Sequence, residues 1–276
     1  MWIDKPMVPP SHDNRSAVPA LEKGLDVLEL FAKSGQELTL SQIAKTCGRS
    51  ISELQRVVPF LEFRGYLIRN ETGLYRLGSK LFRLANAHPP FKDLLIRALP
   101  LMHAFSNRTG ESVHISTIAD NRLLILGETP GTGYLQLAVR VGSTHDPTST
   151  ISGQVFLAHL RQPEALAILG QYGKGRAALP QLEKIRRQGY EFHESYMIKG
   201  VFDLAVPVLL PATSILAVLV CSWVEHQVSK PKIKRVLPAL NECAAALAAA
   251  YEPIREQCST PKALARSSQA HLAESD

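Results

Sequence analysis

The fold turns on LTLSQIAKTCGRSISELQRVVPFLEF, residues 38–63. Two helix-start signatures stand eleven residues apart in it, Thr39 with Gln42 and Ser50 with Glu53. In each, a hydroxyl can accept from the backbone donor three residues on, while the Gln or Glu reaches back to the cap. The spacing leaves room for one short helix and a tight turn, with Gly48 where that turn needs an unusual backbone conformation. Leu40, Ile43, Ala44 and Cys47 line one face of the first helix. Leu54, Val57, Val58 and Leu61 line one face of the second, so the two stripes can pack together. Pro59 removes a backbone donor and is expected to kink the second helix.

Upstream, Leu21, Leu25, Leu28 and Ala32 share a helical face, and Gly35 stops that helix. Downstream, residues 66–69 and 74–77 flank the turn-rich Asn70-Glu-Thr-Gly73, a hairpin. Residues 18–78 therefore read as a winged helix-turn-helix. The outer face of its second helix shows Ser52, Gln55 and Arg56 at the N-terminal end, which suits phosphate and base-edge contacts in a major groove. Arg69 and Arg76 on the wing can reach a phosphate backbone or minor groove. Thr39, Arg49 and Ser50 complete the expected interface. From Lys45 to Lys80 the chain holds seven Lys/Arg and three Asp/Glu, a net +4 out of +6 for the whole sequence. Charge concentrated at such a motif points to duplex DNA. Helix pairs of this kind also dock proteins, so a ligand-sensing module whose winged helix binds protein stands as the alternative.

Residues 1–17 and 256–276 read as tails, 79–90 as a linker helix ended by Pro89-Pro90, and 91–255 as a second domain. That domain opens with a helix from Phe91 past Phe105, kinked at Pro100, with Gly110 beyond its end. Strands are expected over 112–118 and 122–127 around Asp120-Asn121, then over 134–141, 202–209 and 215–223. Helices are expected over 152–172, 179–188 and 230–251. The whole is an α+β chain whose second domain packs helices around an antiparallel sheet.

Four cysteines without clip spacing indicate reduced thiols in a cytoplasmic protein and no metal site. The N-terminus carries no long apolar run, so no signal peptide is expected. The apolar stretch from Val236 to Tyr251 is interrupted by Asn241 and Glu242 and is shorter than the roughly 20 residues a membrane span needs. Catalytic motifs are incomplete. Gly131-Thr-Gly133 lacks a strand-to-helix context, His193-Glu194 lacks the paired cysteines of a zinc deaminase, and Ser152-Gly153 lacks the first glycine of a nucleophile elbow. No enzyme and no cofactor is expected.

At this point the chain resembles the IclR family of transcription regulators. The resemblance rests on residues 20–31 (ALEKGLDVLELF), 38–44 (LTLSQIA), 61–67 (LEFRGYL) and 73–78 (GLYRLG) in the first half. In the second half it rests on 109–115 (TGESVHI), 140–143 (RVGS) and 200–208 (GVFDLAVPV). It implies a winged helix-turn-helix, a linker helix, a GAF-like effector domain, and homodimers or dimers of dimers that control catabolic operons in answer to small organic or aromatic acids. It also implies an effector pocket bordered by the loop carrying Ser149, Thr150, Ser152 and Gly153. The family's polar contacts would fall on His193, Asp203, Leu219 and Cys221, with Phe202 beside them. There the chain departs from the pattern. The family often has an acid at the position of His193, Cys at that of Asp203, and Ser at those of Leu219 and Cys221. Two hydroxyls lost would favour a larger, more apolar ligand, and Leu219 and Cys221 read equally well as core strand residues.

Overall fold

The computed structural model describes residues 18–87, 89–133, 136–195, 198–210, 214–224 and 233–258. The chain divides between Pro89 and Pro90 into two compact units.

The N-terminal unit runs α1 (Pro19–Ser34), α2 (Leu40–Thr46), α3 (Ile51–Leu54), α4 (Val57–Phe63), β1 (Leu67–Arg69), β2 (Tyr75–Leu77) and α5 (Lys80–Asn86). Val27, Phe31, Ile43, Leu54, Val58 and Leu67 bury its core. Both capping boxes form, and Gly48 between α2 and α3 takes φ +65°. A Cβ there would meet the steric penalty of the left-handed region. On α1 the buried residues are Gly24, Val27 and Phe31, whereas Leu21 and Leu25 are exposed. The expected apolar face is thus displaced around the helix. The wing is an antiparallel pair in which Ile68 faces Arg76 and Arg69 faces Tyr75.

The second helix of the motif is two helices. An unbroken helix would bond the N–H of residue 59 to the carbonyl of Gln55, but Pro59 has no N–H and its ring crowds that carbonyl. The single turn α3 therefore ends at Gln55, and α4 restarts with the Phe60 N–H on the Arg56 carbonyl at 3.3 Å. The proline acts upstream of itself, at the polar end of the motif.

The C-terminal unit comprises α6 (Pro89–Thr109), β3 (Ser112–Ala119), β4 (Arg122–Thr129), β5 (Thr144–His145), α7 (Ile151–His159), α8 (Gln162–Gln171), α9 (Leu179–Gln188), β6 (Glu191–Glu194), β7 (Val201–Leu210), β8 (Ser214–Val224) and α10 (Ile233–Cys258). Its sheet is antiparallel, in the order β5-β4-β3-β8-β7-β6. Asp120 and Asn121 turn the β3–β4 hairpin with φ of 50° and 59°, the left-handed pair such a two-residue turn requires. One sheet face packs on α6 and α10 through Leu94, Met102, Val206, Leu219, Cys221 and Leu240. The other packs on α7, α8 and α9 through Val155, Leu169, Ile185, Ala205, Val218 and Val220. The result is three layers.

Four expectations are corrected here. Residues 136–141 carry no strand, and 134 and 135 lie outside the described residues; the pairing with β4 is made by β5. The Val139 N–H goes instead to the Glu128 carboxylate at 2.7 Å, and a turn closes from Ser143 N–H to the Arg140 carbonyl at 3.1 Å. The helix over 152–172 is split after His159, and Pro163 lies in the first turn of α8, where a missing N–H is harmless. The edge strand β6, which carries His193, was not expected at all. Pro89-Pro90 opens α6 as well as following α5.

Candidate functional site

The residues singled out from the sequence fall in both units, and only some of them come together.

In the N-terminal unit several polar side chains work inside the fold. The Thr39 hydroxyl accepts from the Gln42 N–H at 3.3 Å, and Gln42 Oε1 takes the Thr39 N–H at 2.8 Å. Ser50 and Glu53 repeat the arrangement at 3.3 and 2.9 Å. Glu53 also pairs with Lys23 at 3.0 Å. The Ser50 amide, then Lys23 and the Ser50 hydroxyl, hold its carboxyl down at about 2. Arg49 is turned inward. Its Nε donates to Asp26 Oδ2 at 3.0 Å and Glu22 stands 3.7 Å away, tying the α2–α3 turn to α1. Ser52, Gln55 and Arg56 are exposed, and among the described residues the side chains of Gln55 and Arg56 have no partner. Arg64, Arg69 and Lys80 lie over the rings of Phe60, Tyr75 and Tyr66 at 5.7, 5.5 and 5.2 Å. Stacking keeps each charge in place while leaving it available to an anion. The basic excess thus splits into cations spent on carboxylates and cations held ready, with Arg56 at the end of the capped turn.

In the C-terminal unit the register decides which residues meet. Side chains alternate between sheet faces. His193 pairs with Asp203, Asp203 with Ser222, and Ser222 with Ser112, so these four form one row across β6, β7, β8 and β3 on the α7 side. The Ser222 hydroxyl donates to Asp203 Oδ1 at 2.6 Å. Burial pushes the Asp203 carboxyl up; hydrogen bonds from Ser222 and Ser195 and the nearby His193 oppose it. Glu191 is buried on the same face and accepts from Gln181 Nε2 of α9 at 3.4 Å. His114, two positions along β3 from Ser112, is buried there.

Leu219 and Cys221 lie one residue out of phase with this row. Both are fully buried in the layer against α6 and α10, and they are corrected to core residues. Phe202 also faces that side, stacked on Phe192 at 5.8 Å, with Phe192 in turn on Trp223 at 5.6 Å. The hydroxyl that seemed lost at Cys221 is present next door in Ser222. β8 reads SILAVLVCSWV, apolar on both faces, so its parity is invisible without its neighbours.

The loop before α7 is tightly knit. Thr150 caps the Gly153 N–H at 3.2 Å, and the Asp146 carbonyl takes the Ser149 and Thr150 hydroxyls at 3.1 and 3.3 Å. Ser152 is buried. A Cβ on Gly153 would stand 2.2 Å from the Pro147 carbonyl oxygen, so only glycine lets the loop close onto the helix. Beside it a cleft of about 380 Å³ opens between α7, α8 and α9, lined by Thr148, Gln154, Leu157, Lys174, Gln181 and Leu182. Among the described residues no His, Cys, Asp or Glu cluster could hold a metal ion, and no helix is long and apolar enough to cross a membrane.

Comparison with known proteins settles what this two-unit arrangement is. Residues 91–249 match the model of the bacterial transcriptional regulator IclR C-terminal domain, and residues 20–71 match that of the IclR helix-turn-helix domain. The chain belongs to the IclR family. Among its relatives, the HTH-type transcriptional regulator XynR of Escherichia coli is 26% identical over 244 residues, 84% of this chain and 97% of that protein. The transcriptional repressor IclR of the same organism is 22% identical over 201 residues, 68% of this chain and 73% of that one. The fold matches the crystal structure of an IclR regulator from Alicyclobacillus acidocaldarius with a TM-score of 0.68 at 24% identity, covering 85% and 99% of the two chains. It matches an IclR homologue from Microbacterium hydrocarbonoxydans, complexed with 4-hydroxybenzoate, with a TM-score of 0.69 at 24% identity, covering 84% and 98%.

As an IclR-family member the chain is a transcription regulator with a helix-turn-helix DNA-binding domain, and the relatives named are regulators, not enzymes. Of the polar residues on this sheet face, sequence reasoning singled out His193 and Asp203 and did not single out Ser222, Ser112, Glu191 or His114. Ser222 could have been found as the one hydroxyl near the end of an otherwise apolar run, and Glu191 by its spacing of two from His193.

Proposed function

We propose that the chain is a ligand-controlled, sequence-specific regulator of a catabolic operon, acting in the cytoplasm as a homodimer or dimer of dimers on a two-part operator. The observation that carries the DNA reading is the pair Gln55 and Arg56, exposed and partnerless among the described residues at the end of a capped helical turn. These two read base edges, and Ser52 and the stacked Arg69 bind phosphate, while Arg76 on the wing is held by Glu37. Thr39 and Ser50 aim their helix N-termini through their caps, and Arg49 sets the turn by holding Asp26. Arg56→Gln is expected to relax operator preference by about 1–3 kcal/mol, the worth of a bidentate base contact. Footprint titrations on the DNA upstream of the chain's own gene check this; unchanged preference removes Arg56 from the groove.

The effector is a small hydroxylated organic or aromatic acid held on the α7 side of the sheet. Support comes from the row His193–Asp203–Ser222 and the capped loop at Ser149, Thr150, Ser152 and Gly153. The row offers acceptors around one imidazole, so a ligand hydroxyl faces Asp203 and its carboxylate points elsewhere. The Microbacterium homologue, complexed with a hydroxylated aromatic acid, is consistent with that chemistry. Calorimetry of the full chain with 4-hydroxybenzoate and benzoate tests it. Preference for the hydroxylated acid should vanish in Asp203→Asn and survive in Cys221→Ser; a preference untouched by Asp203→Asn removes the assignment. Ligand binding shifts operator affinity only if the two DNA-binding arrangements bind the ligand unequally.

A further inference from the structure

Glu37 lies between α1 and α2, outside the wing, yet both of its carboxylate oxygens are turned toward it. A backbone bridge fixes the approach: the Leu38 N–H donates to the Tyr75 carbonyl at 3.1 Å, and the Tyr75 N–H to the Leu38 carbonyl at 2.8 Å. Glu37 Oε2 then accepts from Asn70 Nδ2 at 2.7 Å, and Oε1 stands 3.6 Å from Arg76 Nε. Asn70 is the residue that makes the wing's turn. Its Oδ1 accepts from the Thr72 N–H at 3.0 Å, the Thr72 hydroxyl at 2.7 Å and the Leu74 N–H at 2.9 Å. One acidic residue therefore grips the tip of the hairpin and the cation of its second strand. The other charges of the wing are arranged differently. Arg69 is parked on the Tyr75 ring, and Glu71 makes no ion pair among the described residues.

We infer that Glu37 is a positioning residue that competes with DNA phosphate for Arg76. In the free protein the carboxylate takes the place a phosphate oxygen would take at the guanidinium. Binding DNA then exchanges one anion for another at Arg76 and releases little counterion there. Glu37 orients the wing through Asn70 and, by the same carboxylate, holds down its affinity for any duplex. This tunes the regulator toward its base contacts, because a weaker sequence-independent term leaves a larger share of the binding to the reading turn.

The two roles separate in Glu37→Gln, which keeps an amide oxygen for Asn70 and removes the charge from Arg76. The full-length protein is titrated with a random-sequence duplex of about 30 base pairs at several salt concentrations, since each added phosphate contact steepens the log–log slope by about 0.9. Glu37→Gln is expected to bind about fivefold tighter near 0.1 M salt and to steepen the slope by about one such contact. Arg76→Gln alone should weaken the wild type by less than about twofold, and in the Glu37→Gln background it should cancel the whole gain. A slope unchanged or flattened in Glu37→Gln overturns the inference. So does a gain that persists without Arg76, because the charge would then act through the general field and not through that side chain.

Discussion

His114 lies on the inner face of β3, where enclosure, and then the charge of His145, hold its imidazole down to about 4. An unfolded histidine titrates near 6.5. Between those values the unfolded chain binds a proton that the folded chain refuses, so the C-terminal unit gains stability as pH rises from about 4 to about 6.5. That contribution is complete above about 6.5 and is lost as pH falls, up to about 3 kcal/mol in all. Denaturant unfolding at pH 7 and pH 5 should show the loss in the wild type and a smaller one in His114→Asn. Equal losses would place the acid sensitivity elsewhere. Glu53 titrates lower: its carboxyl sits at about 2, so its help to the α3 cap is present above about 4.5 and fades only toward pH 2. At this scale the sequence was half legible. Types and rough positions of polar residues were visible, but whether a residue faced α7 or α6 depended on strand phase. Leu219 and Cys221 failed on that phase by one position. Arg49 looked like a DNA contact because its partner Asp26 is 23 residues away along the chain.

The helices declare themselves through caps and stops, and the caps predict their own energetics. Thr39→Ala should destabilise the N-terminal unit by about 1 kcal/mol, as removal of a capping hydroxyl typically does, and thermal melts of the full chain would measure it. Gly153→Ala is a harsher change. Its Cβ would lie 2.2–2.6 Å from three backbone atoms of Pro147, so the loop must move off α7. The expected cost is about 1–3 kcal/mol or more, with loss of effector binding, read by melting and calorimetry together. A silent Gly153→Ala would show that the loop gives way freely. The helix-turn-helix was legible because its signals are local. The break after Leu54 was foreseen as a kink but misplaced, since proline disturbs the carbonyl four residues before it. Strand β6 was missed because four residues at a sheet edge carry too short a pattern. Residues 134–141 looked like a strand from composition alone; Glu128 and the turn at Ser143 take backbone groups that a ladder would need.

Across the whole chain, a basic segment from Lys45 to Lys80 lies in one unit and a polar-floored sheet sits in the other. The division of labour was legible in the order of the motifs, and the two IclR domain models match residues 20–71 and 91–249. What sequence could not give was the partition of the basic residues into those tied to carboxylates and those held over aromatic rings or left free, because it depends on contacts between distant segments. The proposed DNA contact requires the second group to meet the duplex. Its most direct test is the salt dependence of duplex binding by the intact chain, wild type beside Arg56→Gln and Arg69→Gln. The wild type should lose affinity steeply between about 50 and 200 mM salt, as release of counterions from several phosphates demands. Arg69→Gln should flatten the slope, whereas Arg56→Gln should chiefly erase the advantage of the native operator over random DNA. A wild-type protein that ignores duplex DNA even at the lowest salt, its native upstream region included, would contradict the account.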